Sequence, residues 1–371
     1  MLRDPRLTKL AGNLLSHSVK VKKNERVLIQ AHAPGKPLVI ELIKKAYEMG
    51  AYPFAEILDD DIYRELAMGF NAEQLGIQAE WELQKYKDID AVIIVSAEEN
   101  DAEFSDIPAD KASLYGRSLK DVHEFYINNR RWVLLNYPSR SLAQKAGMST
   151  SAFSDFVLDV CSIDYQMLAS AMEPLRELIK KTDKVRIAAP GTDLEFSIKG
   201  MPAVSCTGEK NLPDGEVYSA PVKESMNGTI TFNTPCTFRG IVFQKVALTI
   251  ENGKVIRADA DKADRLNEIF NTDEGARYFG EFAVGLNPLI RQPMGDALFD
   301  EKITGSIHLA AGEAYENADN GNRSAIHWDM VLILREQYGG GEIYFDDRLI
   351  SQNGRFVIEE LARLNPCRLN M

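Results

Sequence analysis

Short apolar runs alternate with longer stretches of helical periodicity through the first half of the chain. Arg26-Val-Leu-Ile-Gln-Ala31 has the pattern of a buried strand. Pro37 then suits the first position of a helix expected to run to about Met49 and to close at Gly50. Tyr52 to Leu58 gives a second strand, and a helix-rich stretch follows to about Tyr86. Asp90-Ala-Val-Ile-Ile-Val-Ser96 is the clearest buried strand, and Arg131-Trp-Val-Leu-Leu-Asn-Tyr137 is a fourth, stopped by Pro138. Strands separated by helices predict an α/β domain, a mostly parallel sheet with flanking helices, over residues 1–182.

Beyond a helical stretch from about Ile163 to Lys181, which Pro174 is expected to kink, the texture changes. Lys184–Ala189, Leu194–Ile198, Glu216–Ser219, Thr229–Asn233 and Val242–Ile250 all read as strands. Asn252-Gly253 between two apolar runs is a strong hairpin signal, since both residues tolerate positive φ. Helical character returns at Asp261–Asn271 and Gly275–Tyr278, then strands resume through His308, His327 and Ile343. Residues 183–371 are therefore expected to form a β-rich α+β domain that carries the chemistry.

Composition narrows the function. A length of 371 residues exceeds what one core usually organises, which favours two domains. A net charge of −12 argues against nucleic acid as a partner and suits cationic ligands or metal ions. Cys161, Cys206, Cys236 and Cys367 form no close pair, so a zinc ribbon is not expected. Charges interrupt the first ten residues where a signal peptide would be apolar, and no run is long enough to span a membrane. A cytoplasmic protein with no membrane partner is the expectation. Ala33-Pro-Gly-Lys-Pro37 after the first strand cannot build a known phosphate cradle, so the first domain reads as a scaffold.

The candidate chemistry lies late in the chain. In Ser324-Ala-Ile-His-Trp-Asp-Met-Val-Leu-Ile-Leu334, strand alternation puts His327 and Asp329 on one face and Trp328 on the other. An imidazole and a carboxylate so placed suit a cation, or a buried hydrogen-bonded pair. His308 stands among small and apolar residues in Thr304-Gly-Ser-Ile-His-Leu-Ala-Ala-Gly312, with Tyr315 just beyond. Glu216 enters a strand from a Pro/Gly loop, and Glu281 heads an apolar run. Two imidazoles with three carboxylates match Zn²⁺, Co²⁺ or Mn²⁺ rather than thiolate chemistry.

Four segments, Pro213-Asp-Gly-Glu-Val-Tyr-Ser-Ala-Pro221, Gly280-Glu-Phe-Ala-Val-Gly-Leu-Asn-Pro288, Ile307-His-Leu-Ala-Ala-Gly312 and Ile326-His-Trp-Asp-Met330, resemble in content and order those of the thermophilic-aminopeptidase family of metallopeptidases. The resemblance spans nearly the whole chain. It implies a metal-dependent aminopeptidase that releases N-terminal residues from short peptides by two-metal-activated water. By it, Glu216, Glu281, His308, His327 and Asp329 are ligands of two divalent ions, zinc foremost, with Glu281 as bridge. Tyr315 matches a family tyrosine beside the metals that supports the tetrahedral intermediate. A homodimer with an enclosed cavity is also implied. The polar loop Asn317-Ala-Asp-Asn-Gly-Asn-Arg-Ser324 is shorter than its counterpart in better-known members.

Read without the family, the residues leave the general base open between Glu216 and a loop carboxylate. Two alternatives also stand. One is another dinuclear metallohydrolase, acting on a phosphoester or small amide. The other is a non-catalytic dimeric binding protein.

Overall fold

The computed structural model describes residues 4–366 and 368. Cys367 lies outside the described residues. The chain forms two compact units.

The first unit ends at Ser162 and takes back Gly208–Pro213 from later in the chain. Its five-stranded sheet runs in the order Tyr52–Leu58, Arg26–His32, Ala91–Ser96, Arg131–Asn136, Asn211–Leu212, with every pair parallel. Val27, Leu28, Ile29, Val92, Ile93 and Val95 are all buried, because helices cover both faces of such a sheet. Those helices include Lys36–Glu48, Asp60–Gly69, Ala72–Asp88 and Ala109–Asn129. Asp59 and Asn71 cap two of them, accepting from the backbone N–H groups of Ile62 and Gln74. The strand Tyr52–Leu58 is an edge, paired on one side only.

The second unit comprises Ile163–Thr207 and the chain from Asp214 onward. An antiparallel eight-stranded sheet carries the Asn252-Gly253 hairpin, where Glu251 pairs with Lys254 and both turn residues have positive φ. A second antiparallel sheet of five strands runs His327–Ile333, Ser306–Gly312, Phe279–Gly285, Glu216–Ser219, Val204–Cys206. The helix Tyr165–Lys181 continues through Pro174 and buries Leu168, Ala171, Met172, Leu175 and Ile179. Among the described residues, no helix is long and apolar enough to cross a membrane.

The observed division departs from the expected boundary at residue 182 in two respects. The helix Tyr165–Lys181 clusters with the second unit, whose strands Val204–Cys206 and Glu216–Ser219 it packs against. The two-residue strand Asn211–Leu212 returns to the first sheet, a segment too short to show any periodicity. The expected strand Val242–Ile250 is also two strands, Ile241–Phe243 and Ala247–Glu251.

Candidate metal centre

The register of the five-stranded sheet gathers the candidate residues. In an antiparallel pair, residues opposite one another point to the same face. Glu281 pairs with Ala310, and Ala310 with Asp329. Ala283 pairs with His308 on one side and Tyr218 on the other, Gly285 with Glu216, and Gly312 with His327. Glu216, Glu281, His308, His327 and Asp329 therefore share one face, and Ala283, Ala310, Gly285 and Gly312 are the small residues that leave room between them. The other face is core. It carries Phe282, Val284, Ile307, Leu309, Met330 and Leu332, all buried, together with Trp328, which packs against Phe238, Phe243 and Phe270.

A bulge at Gly280 makes the arrangement work. Phe279 pairs with Ala311 and Glu281 with Ala310, so the extra residue sends Phe279 into the core and Glu281 to the site. A Cβ at position 280 would collide with the Glu313 carbonyl, so only glycine fits.

The donors converge closely. His308 Nε2 lies 3.3 Å from Glu216 Oε2 and 3.5 Å from Glu281 Oε1. His327 Nε2 lies 3.4 Å from Glu281 Oε2 and 3.5 Å from Asp329 Oδ2. Two groups able to hold an ion result, Glu216–Glu281–His308 and Glu281–His327–Asp329, which share Glu281. A third, Cys206–Asp214–Glu216, adjoins the first.

Buried polar atoms are ordinarily paired, yet Glu216 Oε2, His327 Nε2 and Asp329 Oδ1 have no hydrogen-bond partner. These are donor atoms facing the middle of the cluster. His327 is oriented from behind: its Nδ1 is 2.8 Å from the Glu313 carbonyl, which only accepts, so Nδ1 carries a proton and Nε2 is the nitrogen turned to Glu281 and Asp329. Three buried carboxylates, two imidazoles and inward-facing orphaned atoms fit a pair of divalent cations.

Electrostatics carry the same message. Burial pushes the Glu216 carboxyl up and takes Asp329 to about 7, with the charge of Glu301 adding to the latter. Burial works on Glu281 as well, but His308 and His327 outweigh it and hold that carboxyl at about 2. The imidazoles, which burial alone would depress, rise instead. Glu281 and Glu216 bring His308 to about 9, while Asp329 and Glu281 bring His327 to about 10. Without an ion, protons supply the positive charge that the carboxylates demand.

Three neighbours complete the site. The Tyr315 ring lies 4.7 Å from the His327 imidazole and 5.6 Å from Tyr218. Tyr218, on the site face, donates its hydroxyl to Asn317 Oδ1 at 2.7 Å. Lys302 is 1% exposed, its ammonium 2.8 Å from Glu216 Oε1 and 2.6 Å from Glu301 Oε2. Sequence reasoning missed Tyr218 and Lys302. The alternation within Glu216-Val-Tyr218 could have disclosed the tyrosine, whereas Glu301-Lys302 looks like any surface pair. Of the remaining histidines, His32 is held by the Ala97 N–H at 3.1 Å and by Asp60 at 3.2 Å, a structural role.

Residues 3–356 match the family model described as thermophilic metalloprotease (M29). Aminopeptidase T of Thermus thermophilus is 25% identical over 408 aligned positions, covering 95% of this chain and 98% of that protein. Aminopeptidase AmpS of Bacillus subtilis is 25% identical over 353 positions, covering 84% of this chain and 85% of the relative. Among solved structures, wild-type AmpT from Thermus thermophilus superposes with a TM-score of 0.79 at 21% identity, over 95% of this chain and 99% of that one, which establishes the shared fold.

Proposed function

Because the chain belongs to the thermophilic metalloprotease (M29) family, we propose that it is a metal-dependent aminopeptidase that removes N-terminal residues from short peptides. The observation that carries this reading is the pair of donor groups joined through Glu281 on one sheet face. Glu216, Glu281 and His308 would hold one ion, Glu281, His327 and Asp329 the other, with zinc, cobalt or manganese compatible with the donors. When bound, two such ions supply Lewis acidity that polarises a carbonyl and lowers the pKa of water from about 15.7 towards 7.

The chain's own groups do the rest. Glu281 presents one oxygen to each donor group, so it would be the ligand common to both ions. The core beneath the sheet and the Glu313 carbonyl fix His327, and the small residues of the site face leave room for a peptide bond. The Tyr315 phenol, beside His327, is the donor for the developing oxyanion. Lys302 holds one Glu216 oxygen and the other faces His308 within the first donor group, so Glu216 serves as ligand rather than as general base. The names of the relatives support the aminopeptidase assignment. Among the described residues, no side-chain cation is spare beside the donors to add to phosphate binding, since Lys302 is held by Glu216 and Glu301 and Arg323 by Asp319, and a phosphoester control separates that alternative.

A homodimer in the cytoplasm is part of the same reading. On the first unit, Tyr52, Phe54, Ile57, Ile62, Leu66 and Trp81 expose apolar surface beside the open edge strand, Trp81 to 73%. Patches of that kind are usually covered by a partner, and a second copy is the partner the family implies.

The test is a panel of aminoacyl-p-nitroanilides, free and N-acetylated, with a phosphoester as control. Each is assayed with chelator and with added Zn²⁺, Co²⁺ or Mn²⁺. The reading expects chelator-sensitive cleavage of unblocked substrates alone. Equal turnover of acetylated substrates, or metal-dependent turnover of the phosphoester only, would contradict it.

A further inference from the structure

Cys206 and Asp214 of the third donor group, Cys206–Asp214–Glu216, have no part in the proposed reaction, although the ligand atoms of the three lie within 4.8 Å of one another. Cys206 is the register partner of Glu216 across the sheet, so its thiol occupies the site face. Asp214, 2% exposed, enters from the adjoining turn and accepts the Gly215 N–H at 2.9 Å. A thiol with two carboxylates is a competent donor set for borderline cations such as Co²⁺ and Zn²⁺.

A cation already stands at the Glu216 corner of this group, and it is part of the chain. The Lys302 ammonium touches Glu216 Oε1 and Glu301 Oε2 and is shut away from water. The backbone delivers it rigidly: Lys302 N–H bonds the Phe299 carbonyl at 3.1 Å, and its own carbonyl accepts the Asn287 N–H at 3.0 Å. A fixed positive charge beside two dications weakens their binding, so Lys302 is not explained by tighter metal capture. Its contacts fit another role. By taking Oε1 it leaves Glu216 the single free oxygen, Oε2, that faces His308.

We propose that Lys302 is the resident cation of the third donor group, a positioning residue that limits Glu216 to one-oxygen ligation and keeps a third metal ion off Cys206, Asp214 and Glu216. The inference rests on the two-ion reading of the site. The closing experiment separates the two, because the wild-type ion count tests that reading and the change on substitution tests this one.

Full-length protein is loaded with Co²⁺, excess ion is removed, and bound cobalt per chain is counted by plasma mass spectrometry. The near-ultraviolet thiolate-to-cobalt absorption is recorded in parallel. The wild type should hold about two ions without a thiolate band. Lys302→Met, similar in length but uncharged, should hold about three with the band, and the double variant Lys302→Met/Cys206→Ser should return to two with the band gone. Because Lys302→Met leaves buried carboxylates uncompensated, it is refolded with Co²⁺ present, and Lys302→Arg, which keeps the charge, is read beside it. Two ions and no band in Lys302→Arg support the proposal. A thiolate band in wild type or Lys302→Arg overturns it, as does a folded Lys302→Met that stays at two ions without a band.

Discussion

Glu281→Gln keeps the size of the side chain that joins the two donor groups and removes its charge. In the metal-free protein, His308 and His327 hold the Glu281 carboxyl at about 2 against an ordinary value of 4.5. At about 1.4 kcal/mol per pKa unit, the carboxylate gains about 3 kcal/mol from its folded surroundings. A depressed pKa stabilises the fold above the unfolded value near 4.5 and loses that contribution as pH falls through about 2, so at pH 7 it is fully present. The substitution should therefore lower metal-free stability at pH 7 by about 3 kcal/mol, or about 6–12 °C in melting temperature for a unit of this size. In the loaded protein both ions lose a shared anionic ligand. Affinity should fall at least about 100-fold, since even second-layer partners of a metal ligand are worth 10–100-fold. Scanning calorimetry after chelator treatment reads the first effect, and titration calorimetry with Zn²⁺ reads the second. A variant that melts with the metal-free wild type and takes up two ions at wild-type affinity would refute the placement of Glu281.

Four further outcomes follow from the same geometry. Tyr315→Phe retains the ring against His327 but loses the phenol, so kcat should drop about 10²–10³-fold with metal content and melting temperature unchanged; equal loss of metal would assign the tyrosine a structural role instead. The His308 and His327 pKa values of about 9 and 10 lie above the ordinary 6.5, so their contribution to metal-free stability is complete below pH 6.5 and disappears as pH rises through 9–10. Metal must displace one proton from each imidazole, and uptake at pH 7, measured in buffers of different ionisation enthalpy, should release about two protons from this pair. Gly280→Ala should cost about 1–3 kcal/mol and abolish stoichiometric metal binding, because the bulge that turns Glu281 to the site cannot form against the Glu313 carbonyl; denaturant melts and metal analysis check it. Phe54→Glu combined with Trp81→Glu should convert a dimer to monomers by light scattering without altering metal content; an unchanged mass would move the dimer surface elsewhere.

The sequence disclosed most where side-chain spacing alone sets geometry. His327 and Asp329 are two apart in a strand, which forces them to one face whatever the partners, and the structure shows Trp328 on the other. Buried strands such as Ala91–Ser96 were legible because both faces are apolar. The convergence of Glu216, Glu281 and His308 was not legible from the residues themselves, because it depends on strand order and register, which local pattern does not encode. Resemblance to the family supplied it. The Gly280 bulge illustrates the difficulty: straight alternation would place Phe279 and Glu281 on one face, and the extra residue separates them. Lys302 and the return of Asn211–Leu212 to the first sheet are likewise tertiary facts, one the burial of a lysine that follows the charged Glu301 in sequence, the other a pairing of only two residues.

Anomalous diffraction at the zinc edge, from crystals grown with metal present, tests the central claim most directly. Two peaks about 3.5–4 Å apart are expected, both within ligand distance of Glu281, one shared with Glu216 and His308 and the other with His327 and Asp329. A single peak at full occupancy, or ions bound away from Glu281, would contradict it.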